Sequence, residues 1–545
     1  MDEKFSWEAV KHEPVFYALM AILTAATVFL VLYPVLRVVL YPPAALYLGF
    51  AQNARWLGSL RNSIVMMLLS MVTCTLLAFL FAYTIIRLPV PCKRLFRFVT
   101  LLPIVSPPFI VSLSYILLFG AQGLISKQLL GLHTSIYGWK GLWLVQTVTF
   151  FPYAYAVIES VMTRISGNLE YAAGNLGADR RHVFFDVFWP LCRPGVAGGA
   201  MMAAINVLAD FGNPVMIGGN FSLLPTEAYM QMTGWYDMNN AAVLSTVLLL
   251  PTVSIFLFDR YWLGRRSYVT VTGKESSLPP AAAHPAAKWS AFAGCIFASL
   301  FVLAVYGVLC LGAFTKTWGY GWSPDLTNFS YVWAQRGLLY NSLRYAAESA
   351  LLSSVMGLSL AYLVQRRLRR AGGALDFLAL LPGAVPGVFL GIGFSIALGG
   401  KPFHLAGTGL LMALALTIWN IPTCYSADTA GLQQLGRSIE DAARNVGASS
   451  IRCFLDIIFP LLRGSFLSGF LLSFLRSMTC LSVVIFLYSA KTSVSTISIL
   501  SLVNSGEWSS AAAFTLVIIA VSFALTGAFR LAADSFRWNR RETNG

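Results

Sequence analysis

Long apolar stretches separated by short polar segments follow one another along the whole chain. Each stretch is about 20 residues or longer, the length that an α-helix needs to cross roughly 30 Å of hydrocarbon. No alternating apolar and polar strand pattern competes with them. The pattern predicts about twelve membrane-spanning helices, at residues 15–41, 62–86, 100–119, 141–163, 196–217, 241–263, 289–314, 343–364, 376–397, 405–428, 465–487 and 511–533. The predicted fold is an all-α polytopic membrane protein.

The composition indicates the same environment. Only 11% of the 545 residues are charged and 57% are hydrophobic, whereas soluble domains contain about 25% charged residues. Such a chain has too little polar surface to cover a water-soluble globule of its size. Lipid must therefore cover much of the folded chain.

The formal net charge of +15 comes from Lys and Arg residues that occupy alternate loops. They are concentrated at residues 87–97, 164–193, 260–288, 366–370, 437–463 and 530–541. The intervening loops are nearly free of them, and residues 218–240 contain none. Because loops rich in Lys and Arg stay in the cytoplasm, this alternation predicts that both termini and the segment 264–288 are cytoplasmic. The charge is thus topological, and we expect no nucleic-acid partner.

The beginning of the chain does not have the pattern of a cleavable secretory signal. Asp2 and Glu3 flank Lys4, so the first residues do not form a purely basic region. The first apolar segment is about 27 residues long, which exceeds the apolar core of a signal peptide. We therefore expect this segment to be the first membrane helix.

Part of the sequence occurs twice. Residues 170–195 and 440–465 are identical at 11 of 26 positions without a gap, at an offset of 270. Further upstream the offset is 279, where Asn62-Ser63 matches Asn341-Ser342. Two related units with the same order of helices explain both matches.

We therefore predict two copies of one six-helix unit. The first occupies residues 1–263 and the second residues 289–545, joined by a cytoplasmic linker at 264–288 that is rich in Pro and Ala. Because six is an even number, both copies enter the membrane in the same direction. They are then parallel repeats related by an axis along the membrane normal.

The duplicated segment lies between the fourth and fifth predicted helix of each unit, on the cytoplasmic side. Each copy is predicted to form a short helix, a turn at Gly177 or Gly447, and a second short helix before Pro190 or Pro460. Both short helices carry apolar residues at helical spacing. A loop with an apolar face on the wet side of a membrane needs a partner to cover it. The alternative is an ordinary amphipathic loop that lies on the lipid surface.

The pattern E-x-A-A-x-x-x-G, with Pro about 13 residues after the Gly, resembles the EAA loop of permease subunits in type I ABC importers. The two-times-six arrangement is similar to the fused ferric-iron-type permeases of that group. The residues that carry the resemblance are Glu170, Ala172, Ala173, Gly177, Ala178 and Pro190 in the first copy and Glu440, Ala442, Ala443, Gly447, Ala448 and Pro460 in the second. The sequence departs from the pattern at Tyr171 and Asp441, which replace the first Ala, and at Gly464, which replaces the Pro present as Pro194.

The resemblance implies a translocation pathway of an ATP-driven importer in a bacterial inner membrane. Each EAA loop would couple the chain to one of two copies of a cytoplasmic ABC ATPase subunit. A periplasmic binding protein would deliver the substrate to the outward face, where 218–240 and 488–510 are the longest candidate docking loops. The resemblance favours Fe(III) as substrate, and it leaves phosphonate, sugar phosphate, thiamine and polyamine open. Glu170 and Glu440 are expected to orient the loop or to contact the ATPase, with a purely local effect on the helix dipole as the alternative.

The chain lacks the motifs that would let it act alone as an enzyme. It contains no G-x-x-x-x-G-K-[ST] phosphate-binding loop, so ATP and Mg²⁺ are expected on the partner ATPase subunits. The eight cysteines include no C-x-x-C pair, and the five histidines are dispersed. We therefore predict no cofactor, no metal site and no catalytic residue.

A secondary transporter with six-plus-six helix repeats is the alternative function. Transporters of that class keep a G-x-x-x-D-R-type loop between their second and third helices. The corresponding segment here reads RLPVPCKRLFR and contains no acidic residue. The duplicated motif also lies two helices later, which favours the importer.

Arg476 is a candidate residue of the translocation pathway, because the predicted eleventh helix (465–487) places it at mid-membrane. An arginine at that depth costs about 2.5–3.5 kcal/mol on insertion scales, so it should face protein or a watery cavity. Its partner in the repeat is Asn206, and Asp210, four residues further along, is a possible counter-ion. The prediction leaves two roles open: a pathway residue for an anionic substrate or ferric chelate, and a structural Arg476–Asp210 pair that locks the two halves together.

Overall fold

The computed structural model describes residues 14–132, 135–263, 285–368 and 372–542. The first half consists of helices α1 (Pro14–Leu40), α2 (Ala44–Phe50), α3 (Ala54–Arg87), α4 (Lys93–Val105), α5 (Ile110–Phe119), α6 (Trp139–Met162), α7 (Gly167–Asn175), α8 (Arg180–His182), α9 (Trp189–Leu208), α10 (Gly212–Ile217), α11 (Leu224–Thr233) and α12 (Met238–Phe258). Turns of π-helix occupy Leu124–Leu129, Val183–Phe188 and Asp259–Leu263. Most of the linker predicted at 264–288 lies outside the described residues.

The second half has a similar order of elements. It consists of α13 (Pro285–Ala313), α14 (Thr327–Ala334), α15 (Arg336–Tyr362), α16 (Gly372–Leu380), α17 (Gly387–Leu398), α18 (Gly409–Gln433), α19 (Ser438–Asn445), α20 (Ser450–Arg452), α21 (Phe459–Met478), α22 (Ser495–Asn504) and α23 (Trp508–Glu542). Turns of π-helix occupy Leu363–Arg367 and Cys453–Ile458, and turns of 3-10 helix occupy Leu381–Gly383 and Val484–Phe486. The sequence predicts no strand, but Thr315–Thr317 (β1) and Gly321–Pro324 (β2) pair as a short antiparallel hairpin.

Eleven helices among the described residues are long and apolar enough to cross a membrane, or up to twelve if a bent pair counts as one span. The predicted helical, polytopic fold is thereby confirmed. The bent pair is the predicted ninth span, where the helix that ends at Gly383 and α17 meet at 105°. The predicted third span is likewise broken between α4 and α5. A proline, Pro107 or Pro386, lies in each break, and proline disfavours helical geometry at the residue before it.

The predicted fifth and eleventh spans have the wrong limits. The sequence places them at 196–217 and 465–487, but the helices end at Leu208 and Met478 and begin much earlier, at Arg180 and Ser450. The apolar residues beyond Leu208 and Met478 form short elements that are buried inside the protein. Hydropathy does not distinguish residues that face protein from residues that face lipid, so the apolar stretch alone gives the wrong end point.

The first helix of each half packs against the opposite half. Helix α1 lies along α17, and a β-carbon at Gly393 would be only 3.1 Å from the Val38 side chain. Helix α13 lies along α5 and α3, and Gly312 meets Leu117 at the same 3.1 Å. Small residues at such crossings let helices in a bilayer approach closely. The two halves are interlocked by these exchanged helices.

The predicted docking loops 218–240 and 488–510 are partly buried. In the first, α11 packs into the protein and Ser63 accepts a hydrogen bond from the Leu224 N–H at 2.9 Å. In the second, Ser342 accepts one from the Ser495 N–H at 2.9 Å, so the matched Asn-Ser pairs anchor corresponding segments. Exposed residues remain at 219–220, 230 and 234–236 in the first loop and at 488, 490–491, 501 and 504–507 in the second.

Candidate functional site

The duplicated loops fold alike. In the first half, α7 follows α6 after four residues, and Ser166 caps it by accepting a hydrogen bond from the Asn168 N–H at 3.2 Å. In the second half, α19 follows α18 in the same way. Each is a helix of two turns or so, which is too short to persist on its own and depends on contacts with the rest of the protein.

The expected turn at each loop glycine is present. Gly177 has φ +91° and Gly447 has φ +85°, and no atom lies within 4 Å of the position of an added β-carbon at either one. The constraint is therefore the left-handed backbone rather than lack of space. Ala178 donates its N–H to the Ala173 carbonyl, and Ala448 to the Ala443 carbonyl, both at 3.0 Å. These bonds close a Schellman motif at the end of α7 and of α19.

The second part of each loop differs from the prediction. It is not a separate short helix that ends before Pro190 or Pro460, because the helix continues through both prolines into α9 and α21. A π-turn immediately before each proline loosens the backbone where proline has no N–H to donate. The loop is thus rigidly attached to a membrane-spanning helix.

Asp179 and Ser449 start these long helices at equivalent positions. The Asp179 carboxylate accepts a hydrogen bond from the His182 N–H at 2.8 Å, and the Ser449 hydroxyl accepts one from the Arg452 N–H at 3.4 Å. Hydrogen bonds from the His182 backbone and ring hold the pKa of the exposed Asp179 carboxyl below its usual range. Either residue type satisfies a free N–H of the first helical turn.

The tip of each loop exposes a large apolar side chain. Leu176 is 90% exposed and Val446, its equivalent at offset 270, is 85% exposed. Ala172 and Ala442 are exposed nearby, whereas Ala173 is half-buried and Ala443 is buried. Apolar residues that project this far into water on a loop with a fixed backbone are typical of a surface that a partner covers.

The loop glutamates face the protein. Glu170 is buried, and its Oε1 lies 2.8 Å from Arg87 Nη1 at the end of α3. Glu440 is also buried, and its Oε1 lies 3.1 Å from Nε of Arg366, in the π-helical turn that follows α15. Both side chains of each pair are 6–7% exposed. Of the roles expected for the glutamates, this burial supports orientation of the loop and argues against direct contact with a partner.

Both arginines also bind the end of the preceding membrane helix. Arg87 Nη2 donates to the Met162 carbonyl at 3.4 Å and to the Ile165 carbonyl at 3.1 Å. Arg366 Nη2 donates to the equivalent carbonyls of Leu432 and Leu435, at 2.9 and 2.7 Å. One guanidinium therefore joins three elements in each half: the second span, the end of the fourth span and the loop helix.

A pair of aromatic rings holds the other arm of each loop. Tyr83 meets Phe184 edge to face with 5.8 Å between the ring centroids, and Tyr362 meets Phe454 in the same way at 5.0 Å. Such pairs contribute about 0.5–1.5 kcal/mol beyond the burial of their surface. The loop arms are thus fixed by one ionic and one aromatic contact, at equivalent positions in both halves.

Arg87 and Arg366 were missed as site residues, because a cation at the end of a predicted span is sufficiently explained by membrane topology. A signal for them was available in the repeat. Arg366 follows Arg87 by the upstream offset of 279, just as Glu440 follows Glu170 by 270. The arginine and the glutamate are each repeated in the second half at the offset of their own region. This joint repetition indicates that the contact between them is repeated as well.

Comparison with known proteins relates the chain to transport proteins. Residues 353–537, which contain the second loop, match the family described as "Binding-protein-dependent transport system inner membrane component". The molybdenum transport system permease protein ModB of Escherichia coli (strain K12) is 30% identical over 195 residues, which cover 34% of this chain and 84% of ModB. The chain belongs to this permease family.

Two further relatives match most of this permease. The ferric transport system permease protein FbpB of Actinobacillus pleuropneumoniae is 33% identical over 439 residues, or 78% of the chain. The putative ferric transport system permease protein FbpB 1 of Haemophilus influenzae is 33% identical over 408 residues, or 72% of the chain. The aligned part spans 64% of the length of either ferric relative.

The predicted Arg476–Asp210 pair is not formed in the permease. Asp210 lies just beyond the end of α9 and accepts hydrogen bonds from Gln146 at 2.9 Å and from the Asn213 side chain at 3.0 Å. Arg476 lies in the last turn of α21 rather than mid-helix, and it donates to the Thr423 hydroxyl. Asn206 is half-buried and donates to the Met202 carbonyl of its own helix at 2.8 Å. A match between repeats does not establish that two side chains meet across the halves.

Proposed function

We propose that this permease forms the translocation pathway of an ATP-driven importer, with the tips of α7 and α19 as the binding sites for two ATPase subunits. The observation that carries the proposal is the pair of exposed apolar tips, Leu176 and Val446, on loops that are locked to the membrane helices by buried ion pairs. A load on either tip is transmitted to the second, fourth and fifth spans of that half. Membership in the permease family favours this function over a secondary transporter.

The proposal includes two parallel repeats with cytoplasmic loops and termini. The elements of each loop region lie at a constant offset, from Arg180–Leu208 in the first half to Ser450–Met478 in the second. Two equivalent loops on the same side would receive two copies of one ATPase subunit. A periplasmic binding protein would deliver the substrate to the opposite face, where the accessible residues include Trp235 and Tyr236.

We propose Fe(III) as the substrate, because the FbpB relatives named for ferric transport match most of the chain. A test requires the complex as it exists, purified from the native membrane through a tag on the permease and placed in liposomes with its binding protein outside. We expect ⁵⁵Fe to accumulate only when ATP is present inside. Uptake that does not depend on ATP would contradict the importer. ATP hydrolysis stimulated by the binding protein without ⁵⁵Fe uptake would contradict the substrate.

A further inference from the structure

Arg476, in the last turn of α21, is a cation with no acidic partner among the described residues. Among the described residues no carboxylate lies within ion-pair distance of its guanidinium. Its Nη1 donates to the Thr423 hydroxyl, and the guanidinium lies over the Trp419 ring, 4.5 Å from the centroid. Both contacts come from α18, so the side chain is held in one position while its charge stays uncompensated.

The possible counter-ion Asp210 has other hydrogen-bond partners. Asp210 is buried and accepts hydrogen bonds from Gln146 and from the backbone and side chain of Asn213. The Tyr153 side chain, on α6 of the first half, lies within electrostatic range of Arg476. A neutral phenol can accept a hydrogen bond, but it does not neutralise a guanidinium.

Arg476 ends a stripe of accessible residues along α21. Gly464, Ser468 and Leu472, at four-residue spacing before it, are exposed, and Arg476 itself is half-buried. On α9 the equivalent residues Met202 and Asn206 are exposed and half-buried. An arginine side chain is unfavourable against lipid, so we expect the Arg476 end of this stripe to face a watery space.

The guanidinium of Arg476 favours an anion with two oxygen atoms that can both accept hydrogen bonds. A guanidinium has five N–H donors in a planar fork, and only one is bound to Thr423 here. Bidentate pairing with a carboxylate or phosphate is the geometry that this fork favours.

We propose that Arg476 is an oxyanion-binding point inside the translocation pathway. The inference rests on the proposed function, because it places the anion on the route of the cargo. A bare metal cation would be repelled at this position, so a ferric ion would pass Arg476 together with a phosphate- or carboxylate-type ligand.

A structural role for Arg476 makes a different prediction. A cation in the last turn of a helix is favoured by the helix dipole by about 0.3–1 kcal/mol, and the Thr423 and Trp419 contacts join α21 to α18. If this were its whole role, replacement of Arg476 would lower thermal stability and leave anion binding unchanged.

The test is direct binding of [³²P]phosphate and [¹⁴C]citrate to the purified permease in lipid nanodiscs, each with and without Fe(III). This measurement needs neither ATPase nor binding protein, so it is independent of the ⁵⁵Fe uptake that tests the importer. We expect saturable binding that Arg476→Gln weakens at least about tenfold, in keeping with the loss of a charge-assisted bidentate contact. Binding without iron identifies a free oxyanion as the ligand, and binding only with iron identifies the anion on the metal.

Two variants keep the test decisive. Arg344→Gln is the matched control, because Arg344 is an exposed arginine with its own partner, Glu348, at 2.7 Å, and it should leave binding unchanged. Arg476→Lys keeps the charge without the fork and should weaken binding by about threefold. Absence of saturable binding in the wild type, or wild-type affinity in Arg476→Gln, overturns the proposal. If Arg476→Gln does not fold, the Arg476→Lys variant decides the question. Wild-type affinity of that variant for the oxyanion would overturn the proposal.

Discussion

Replacement of Glu440 by Gln is expected to reduce ATP-driven transport at least about tenfold, because it removes one partner of a buried ion pair. Arg366 would keep its bonds to the Leu432 and Leu435 carbonyls but would lose the carboxylate that ties it to α19. Loss of one partner from a buried pair costs about 3–5 kcal/mol. Helix α19 is eight residues long and has no stability of its own to set against that cost.

The neighbouring residue provides the control. Asp441 is exposed on the same helix, so Asp441→Asn removes the same charge without breaking a buried contact. Transport by this variant should stay within about twofold of the wild type, as for most surface substitutions. Equal losses in Glu440→Gln and Asp441→Asn would show that the net charge of the loop matters and that the Arg366–Glu440 pair does not.

The double replacement Gly177→Val and Gly447→Val is expected to abolish co-purification of the ATPase while the permease remains in the membrane. Both glycines have left-handed backbones, at φ +91° and +85°, where a β-branched residue is an outlier. The left-handed conformation costs an L-residue about 1–2 kcal/mol, which the single Schellman turn of each loop cannot absorb. The exposed tips would move away from the positions that the partner recognises.

Gly174→Ala is the control for this change. Gly174 lies inside α7, has no positive φ, and has no atom within 4 Å of an added β-carbon. Alanine there should be neutral or slightly stabilising, by up to about 1 kcal/mol. The measurement is the molar ratio of ATPase to permease after affinity purification. A normal ratio for the double valine variant would show that the glycine turns are not needed for docking.

The helices and the two loops could be predicted from the sequence because hydropathy and internal repetition are local properties. A helix can break at Pro107 or Pro386 only where the backbone N–H and C=O groups left without helical partners find hydrogen bonds elsewhere in the protein. The end points at Leu208 and Met478 depend on which apolar residues face protein. Neither property can be deduced from an apolar stretch alone.

The site was predictable in part for a similar reason. The turn glycines follow from backbone preference, which the residue type itself encodes. The Arg87–Glu170 contact joins residues 83 positions apart, and only the fold brings them together. The Arg476–Asp210 pair, one of the two roles left open for Arg476, is not formed: Asp210 accepts hydrogen bonds from Gln146 and Asn213, and Arg476 donates to Thr423. Pairing between distant charges has no signal in a single sequence beyond their opposite sign.

The binding of ATPase subunits at the two tips can be tested by photo-cross-linking from single cysteines. Leu176→Cys and Val446→Cys would carry a benzophenone in a chain whose exposed native cysteines, Cys92 and Cys310, are replaced by Ser. We expect each to form an adduct with the ATPase, and the double variant to form a species with two ATPase subunits on one permease chain. Leu129→Cys, at a 70% exposed position on the opposite face in the proposed orientation, should form none. Absence of adducts from both tips in the intact complex, or two permease chains for every two ATPases, would contradict the assignment of α7 and α19 as the ATPase-binding helices.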